Sequence, residues 1–287
     1  MNQNDTQPLT LLDSAHYDVA RPLFAELSAH HLFATAVLNH DLAGRIYVDD
    51  VKRPTSGFMS TKELQFLAGN PNNAAFNAAL KAIWQETIFR GDAPGATLDE
   101  IDLTFMGETW LPQLEFLMGD WRWPPIRERA YHYCLTAKTV DWQAIVPSGY
   151  SVKAVDGTTF APQIEGQVFN VQSPDYFTAR DFGFCAVGNG RIVCLCATDV
   201  ISGTACEIGI ETHADHYRRG LATATAAATV EYALGQGFEE IWWICSEQNL
   251  GSIRTAEKVG FTKQFETDSY FFILDEMEHK RQINHES

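Results

Sequence analysis

The sequence predicts an α/β protein of the α+β type, in which a sheet carries helices. Residues 182–201 are typical of a hairpin, because two apolar runs flank the turn "GNG". Strand-like and helix-like segments then follow in the order β-β-β-α-β-α-β. A similar strand–strand–helix–strand order precedes residue 146, so an internal duplication of one unit is plausible.

The second half supplies the clearest elements. Strands are predicted at "FGFCAV", "RIVCLCATDVI", "CEIGIET", "EEIWWICSE" and "YFFIL". Helices are predicted over 220–236, which is rich in alanine and ends near two glycines, and over 249–259, which ends at Gly260. The Pro-Ser-Gly segment 147–149 is the best linker, so we predict domains at 1–146 and 150–287.

The first half is harder to read. A helix is predicted over 20–40, and strands are predicted at 44–50 and within 57–69. Another helix is predicted over 72–90, followed by a strand at "IDLTFM", a further helix, and a strand at "RAYHYCLTA".

Composition narrows the classes of function. The 287 residues carry a formal net charge of -16, which argues against a nucleic-acid partner and mildly favours a cationic or amine substrate. The first ten residues lack the pattern of a secretory signal, and no run of 18 apolar residues occurs, so we expect a cytoplasmic protein without a membrane partner. Six cysteines without a CxxC pair suggest buried, reduced thiols rather than disulfides or a metal site.

The stretch HADHYRRGLA follows a predicted strand and opens the alanine-rich helix. The first backbone N–H groups of such a helix, at the positive end of its dipole, form an anion site. Gly220 lets an anion approach the backbone, and Arg218 and Arg219 can add charge-assisted hydrogen bonds. Arg218 and Arg219 stand at the positive end of the helix dipole, which disfavours cations, and a phosphate-bearing ligand between them would explain this placement. The alternative is that both arginines are ordinary solvated surface residues.

Two sequence motifs, which occur in the expected order along the chain, give it a specific resemblance to a known family. Gly220-Leu221-Ala222 matches the Arg/Gln-x-x-Gly-x-Gly/Ala loop, and Asn249, Gly260 and Phe261 match a second motif, of the GCN5-related N-acetyltransferase (GNAT) family. Residues from about 150 to 275 resemble that domain, and the whole chain is similar to a two-domain bacterial branch. The resemblance implies a mixed, mostly antiparallel sheet flanked by helices, preceded by a degenerate GNAT-like half.

The resemblance also implies acetyl-CoA as co-substrate and no metal. Its contacts would come from the backbone of the strand at Ile210 and Thr212 and from the loop and the two following helix starts. These further residues are Arg218, Arg219, Gly220, Leu221, Ala222, Thr223, Asn249 and Ser252. The first half lacks a counterpart of Arg218–Ala222, so no second acetyl-CoA site is expected.

The sequence departs from the family pattern at two positions. Tyr217 stands where the family prefers Arg or Gln, and Ala256 stands where it usually has the Tyr that protonates the departing thiolate. The general acid is therefore another group, a water, or absent. Tyr270 is one candidate, with a packed aromatic ring as the alternative.

The catalytic candidates are Glu207 and Glu211. They are four residues apart in one predicted strand, so their side chains share a face unless a bulge intervenes. Either could take the proton of the amine, directly or through water, and each could equally be an ordinary solvent-facing residue. His213 and His216 flank the loop but lack a visible third metal ligand, so the sequence assigns them no role.

The resemblance implies an N-acetyltransferase that transfers acetyl from acetyl-CoA to a primary amine of a small molecule within a ternary complex. The alternative is an acyl-CoA-binding module without catalysis. A third hypothesis makes the first half an interaction surface, which leaves a homodimer open. No motif names the acceptor: an aminoglycoside, polyamine or amino sugar fits an acidic pocket, whose shape would depend on residues around 158–182.

Overall fold

The computed structural model describes residues 8–85, 100–119, 125–138, 140–155 and 180–273. Two compact units share the chain: one holds the residues up to Arg129 and those from Thr267, and the other holds Ala130–Glu266. These limits differ from the predicted domains at 1–146 and 150–287, which stay a prediction.

The first unit alternates short strands with helices. Its helical segments are a 3₁₀ turn (Ser14–Val19), α1 (Ala25–Ser28), α2 (Leu32–Leu38), α3 (Ala74–Ile83) and α4 (Leu111–Met118). Its strands are β1 (Thr10–Leu11), β2 (Arg45–Val48), β3 (Ser56–Ser60), β4 (Leu64–Gly69) and β5 (Glu100–Thr104). The helix predicted over 20–40 is broken, because His31 has extended backbone (φ −132°, ψ 114°) between α1 and α2.

The second unit is built on a sheet with the order β6-β11-β10-β9-β8-β7. Its strands are β7 (Tyr150–Ala154), β8 (Gly183–Gly188), β9 (Arg191–Ser202), β10 (Ala205–Thr212) and β11 (Glu240–Ser246). Two further strands, β6 (Ile126–Leu135) and β12 (Phe261–Ile273), are each divided between the units, whose limits fall after Arg129 and before Thr267. Its helices are α5 (Trp142–Ile145), α6 (Leu221–Gly235) and α7 (Leu250–Val259). The chain enters this unit through β6 and leaves it through β12.

The structure confirms the predicted order of elements in the second half. The hairpin turn between β8 and β9 has positive φ at both Asn189 and Gly190, as a two-residue turn of this hand requires. The last strand is longer than predicted, since it begins at Phe261 directly after α7. Strand β7 was not predicted.

Both units repeat one topology. In the first, β2-β3-β4-α3-β5-α4-β6 follow one another, and in the second β8-β9-β10-α6-β11-α7-β12 do. In each, the third and fourth strands are parallel and are joined by the longest helix of the unit, whereas the preceding hairpins are antiparallel. The repeated order agrees with the predicted α/β class and with the internal duplication that the sequence suggests.

Helix α6 lies close to the sheet of the second unit because its inner side chains are small. Ala226 and Ala227 are fully buried in one core with Ile208 of β10 and Trp243 of β11. The hydroxyl of Thr229 donates to the carbonyl of Cys196 at 3.2 Å, which fastens the helix to β9.

The six cysteines are free thiols. Burial raises the pKa of Cys194 to about 11 and that of Cys206 to about 12, so both are poor nucleophiles. Among the described residues, no His, Cys, Asp and Glu side chains gather in a group of three or more that could hold a metal ion. No helix in the described part of the chain is long and apolar enough to span a membrane.

The close packing of α6 makes a stability prediction. Ala227→Leu inserts three carbons into a filled core and is expected to destabilise the second unit by about 1–3 kcal/mol. Ala78→Leu, on the exposed face of α3, is the matched control and should change stability by less than about 0.5 kcal/mol. Thermal unfolding followed by calorimetry measures both, and equal midpoints would contradict the packing described for α6.

Candidate functional site

The N-terminus of α6 is open. Its first residue is preceded by Gly220, which has a left-handed backbone (φ 82°) and offers no capping side chain. The first helical hydrogen bond runs from the N–H of Ala224 to the carbonyl of Gly220 at 3.1 Å. By helix geometry, the N–H groups of Leu221, Ala222 and Thr223 have no acceptor within the helix and are free to bind an anion.

The loop before α6 carries backbone strain and positive charge. Arg218 has φ 61°, a left-handed conformation that is uncommon for a residue with a Cβ and is often found at functional sites. The guanidinium of Arg219 donates to the carbonyl of Asp215 at 3.1 Å, and both arginines are exposed. Tyr217 is 61% exposed, so it too faces solvent beside the helix start.

Strands β10 and β11 diverge near this helix start. They pair in parallel over only three positions, from Ala205↔Glu240 to Glu207↔Trp242. Beyond that point β10 stays paired with β9 as far as Thr212, and β11 stays paired with β6 as far as Ser246. The facing edges of 208–212 and 243–246 therefore carry backbone groups that can pair with an extended ligand.

Two predicted contact residues on β10 have structural side chains. Ile210 packs against the core cluster that contains Leu221 of α6, and the hydroxyl of Thr212 donates to the sulfur of Cys194 at 3.1 Å. Their backbone, rather than their side chains, is what β10 offers to a ligand at this edge.

The two predicted contact residues at the start of α7 also support the fold. The side-chain oxygen of Asn249 accepts from the N–H of Ser252 at 3.0 Å and so caps the helix. The hydroxyl of Ser252 accepts from the indole N–H of Trp243 at 2.9 Å. The amide nitrogen of Asn249 and the hydroxyl hydrogen of Ser252 are the groups these residues could still donate.

Glu207 and Glu211 lie on the same face of β10. A register shift occurs between Glu207 and Ile208, but its extra residue, Asp199, belongs to β9. Alternation along β10 continues, because Ile208 and Ile210 both pack on the side of α6. The two carboxylates therefore point to the opposite face.

Their surroundings differ. Glu207 is buried, with 7% of its surface exposed. Glu211 is exposed at the end of the strand, yet partial dehydration raises its pKa above the ordinary value of 4.5. A carboxyl with a raised pKa is the stronger base once ionised, which suits proton abstraction near neutral pH.

The sequence did not identify two neighbours of this site. A Cβ at Gly209 would lie 2.4 Å from a carboxylate oxygen of Asp199, so this carboxylate sits beside the strand between the two glutamates. The hydroxyl of Tyr150 lies 2.8 Å from Nδ1 of His216. A glycine between two glutamates signals a close approach, but no local signal links Tyr150 with a histidine 66 residues away.

The position at which the family usually has its general acid holds a buried alanine. Ala256 is fully buried in the core of the second unit. Tyr133 lies in the same core, where burial raises its pKa to about 12, so it holds its proton tightly. Tyr270 belongs to the core of the first unit and stacks on Phe105 at 4.9 Å, which favours the packing role over that of an acid.

In the first unit the N-terminus of the corresponding helix, α3, is capped by a side chain. The side-chain oxygen of Asn73 accepts from the N–H of Phe76 at 3.2 Å, and its amide donates to Asp49 at 2.9 Å. Burial disfavours the charge of Asp49, but hydrogen bonds from Thr55 and Ser56 outweigh it and lower its pKa. A capped terminus beside an ionised carboxylate repels anions.

Comparison with known proteins places the chain in a family. Its residues 21–270 match the sequence model of the family described as GNAT acetyltransferase. An uncharacterised N-acetyltransferase of Bacillus subtilis (strain 168), YdfB, is 24% identical over 246 residues, which cover 83% of this chain and 89% of that protein.

Solved structures share the fold. A GCN5-related N-acetyltransferase-like protein from Streptococcus suis 89/1591 superposes with a TM-score of 0.66 at 20% identity, covering 90% of this chain and 99% of that one. A tandem GNAT protein from the clavulanic acid biosynthesis pathway superposes with a TM-score of 0.56 at 13% identity, covering 93% and 99%. With the family match over most of the sequence, the chain belongs to the GNAT acetyltransferase family, whose general activity is acyl transfer.

Proposed function

We propose that the protein is an N-acetyltransferase that transfers acetyl from acetyl-CoA to a primary amine of a small molecule. The observation that carries the proposal is the open N-terminus of α6 beside two diverging strands in a chain of this family. One arrangement thus offers an anion site and an edge for an extended amide-containing arm.

The residues present fit acetyl-CoA. The first-turn N–H groups of α6 and the exposed guanidinium groups of Arg218 and Arg219 would hold its pyrophosphate. The edge of β10 from Ile208 to Thr212 would pair with the pantetheine amides, and the amide of Asn249 could donate to the same arm. When bound, acetyl-CoA supplies an activated acyl thioester.

Glu207 is the proposed general base, with Glu211 as a second carboxylate on the same face. An amine must lose a proton to attack a thioester, and a carboxylate can remove it directly or through water. Glu207 pairs in register with Trp242, so the indole ring lies on the same face of the sheet as Glu207. A cationic amine is favoured on such a face by charge and by the ring.

The strongest alternative is an acyl-CoA-binding protein without catalysis. The buried Ala256 favours it, because the phenol that commonly protonates the thiolate cannot be supplied from that position. We prefer catalysis, because a thiolate is stable enough in water to leave without an acid. Buried free thiols support a reducing compartment, and we therefore propose a cytoplasmic location.

Turnover separates the two functions. Purified protein should release free CoA from acetyl-CoA in the presence of a panel of primary amines that includes polyamines, amino sugars and arylalkylamines. Binding of acetyl-CoA without thiol release above background across the panel would favour the non-catalytic alternative.

Gly220→Asp should weaken acetyl-CoA binding by at least about 10-fold, because it places a carboxylate at the positive end of α6. Gly237→Asp is the matched control: Gly237 also has a left-handed backbone (φ 87°) with open space around it, but it follows the other end of the helix. Isothermal titration measures both. Equal affinities for the two variants would contradict the location of the phosphate site.

Glu207→Gln should lower kcat by about 10²–10⁴-fold with little change in acetyl-CoA affinity, because it removes a base without changing shape. Glu211→Gln tests the second carboxylate in the same assay. Wild-type activity should fall toward acid pH as the base is protonated, and if Glu211 is that base the fall begins above pH 4.5, since its pKa is raised. A profile unchanged in both variants would exclude both glutamates.

The chain should bind one acetyl-CoA. The first unit's helix start is capped by Asn73 and faces Asp49, so it offers no anion site. Titration with acetyl-CoA is expected to give a stoichiometry near one, and a second site that disappears in an Asn73→Asp variant would contradict this.

A further inference from the structure

We infer that the acceptor is an arylalkylamine and that Trp242 and Phe265 set this preference by binding its aromatic ring. An arylalkylamine carries a primary amine on a short aliphatic chain attached to an aromatic ring. The inference rests on the proposed function and deepens it by naming the class of amine. It depends on a row of three rings that begins beside Glu207, on the face of the sheet that points away from α6.

Alternation along β11 places Trp242 on the same face as the carboxylates. Its neighbours in sequence, Ile241 and Trp243, are buried in the core that contains the inner side chains of α6. Successive side chains of a strand point to opposite faces, so the indole of Trp242 lies on the side away from that core. Glu207 shares this side, because the two residues pair in register.

Trp242 is the neighbour of Glu207 across the two strands. The two residues form the last pair of the short parallel ladder, and adjacent strands lie about 4.8 Å apart. On its other side Trp242 pairs with Cys134 of β6, whose side chain is small. Glu207 is the proposed base, so a group attached to the reacting nitrogen comes close to Trp242.

Phe265 and His132 extend the indole into a row of rings. The rings of Trp242 and Phe265 lie 5.9 Å apart between centroids at 49°, and Phe265 stacks on His132 at 4.6 Å and 26°. His132 is fully buried, so Phe265 rests on a ring that is itself held in the protein. Trp242 and Phe265 are only half-buried, so part of each ring is accessible to a ligand.

The polar edge of the indole is already bonded. Its N–H donates to the carboxylate of Glu240 at 3.1 Å, so Trp242 offers a ligand the face of its ring. Another aromatic ring packs well on such a surface, in an offset or edge-to-face arrangement. An amino sugar or an aminoglycoside brings many hydroxyl groups, each of which would need a hydrogen-bonding partner once buried there.

The strand spacing favours a short linker between amine and ring. In an extended arylethylamine the nitrogen and the centre of the ring are about 5 Å apart, from ordinary bond lengths of about 1.5 Å. This distance matches the spacing of about 4.8 Å between β10, which carries Glu207, and β11, which carries Trp242. An amine attached directly to the ring is too short to meet both residues.

A polyamine would use other side chains. Glu211 and Asp199 lie on the same face as Glu207, and further ammonium groups would bind these carboxylates without contacting the rings. Arylalkylamines and polyamines therefore depend on different residues, and substitutions of the rings distinguish the two classes.

Steady-state kinetics of the full-length protein tests the preference. The amines compared are 2-phenylethylamine, spermidine, glucosamine and 2-cyclohexylethylamine, which resembles the first in size but has no π system. The wild type should have a kcat/KM for 2-phenylethylamine at least about 10-fold above those for spermidine and glucosamine, because only the first buries a ring. It should exceed the value for 2-cyclohexylethylamine by about 2–10-fold, as ring stacking predicts.

Substitutions locate the preference. Trp242→Leu, which keeps an apolar side chain but removes the ring, should raise the KM for 2-phenylethylamine by about 5–20-fold with a smaller change in kcat, and should leave spermidine within about 2-fold. Trp242→Phe retains a ring and should lose less, and Phe265→Leu should act in the same direction as Trp242→Leu. The matched control is Tyr232→Leu, which removes a ring that is 40% exposed on α6, on the other side of the sheet, and should change neither constant. Unchanged affinity for acetyl-CoA, measured by isothermal titration, shows that each variant is folded.

The outcomes separate this inference from the proposed function. A wild type that prefers spermidine or glucosamine, or that treats the phenyl and cyclohexyl amines equally, would overturn the inference and leave the proposed function standing. An equal loss for all four amines in Trp242→Leu would assign the indole a structural role and overturn the inference as well. Turnover of some other primary amine but of none of these four would have the same result, whereas no turnover of any primary amine would overturn both.

Discussion

The parallel pairing of β10 and β11 stops after three residue pairs, and the site of the second unit depends on that early end. A parallel pair joined by a helix normally hides its backbone groups along its full length. Here each strand continues beyond that point paired with its antiparallel neighbour, β10 with β9 and β11 with β6. Two backbone edges and the start of α6 are thereby exposed in one region, which a continuous ladder would have closed.

The core of the second unit packs α6 against the strands on either side of this point. Small side chains along α6 allow the helix to approach β9 closely, and Thr229 adds a hydrogen bond to the carbonyl of Cys196. On β10, Ile210 and Thr212 point to the helix and are held there by Leu221 and Cys194. Side-chain contacts thus occupy one face of β10, while the other face carries Glu207 and Glu211.

Local patterns predicted much of this arrangement. Three elements depend only on residues that are adjacent in sequence: the hairpin turn, the alanine-rich helix and the Gly-Leu-Ala helix start. The structure confirms each of them. Strand β7 escaped prediction because it is an edge strand: Ser151 and Lys153 are exposed, so its pattern resembles a loop. The break at His31 escaped because helical composition continues on both sides of it.

The environment of the catalytic candidates could not be predicted because it depends on contacts distant in sequence. From the sequence, Glu207 and Glu211 share a face only if no bulge lies between them in β10. The structure places the extra residue of the register shift, Asp199, in β9, so the two glutamates do share a face. Asn249 and Ser252 were predicted as ligand contacts, but each also has a structural role. Asn249 caps α7, and Ser252 accepts a hydrogen bond from Trp243. Tyr150 and His216 meet only because β7 lies beside β8.

The two units show how little separates an anion site from a closed helix start. Both place a helix between parallel strands, so both generate unpaired N–H groups at the same position of the fold. In the first unit the side chain of Asn73 takes one of these groups and brings Asp49 beside it. In the second unit Gly220 supplies no side chain, and the preceding loop brings Arg218 and Arg219. Both helices have the same dipole. The residue before each helix decides whether the positive end of that dipole is capped by a side chain of the protein or is left open to an anionic ligand.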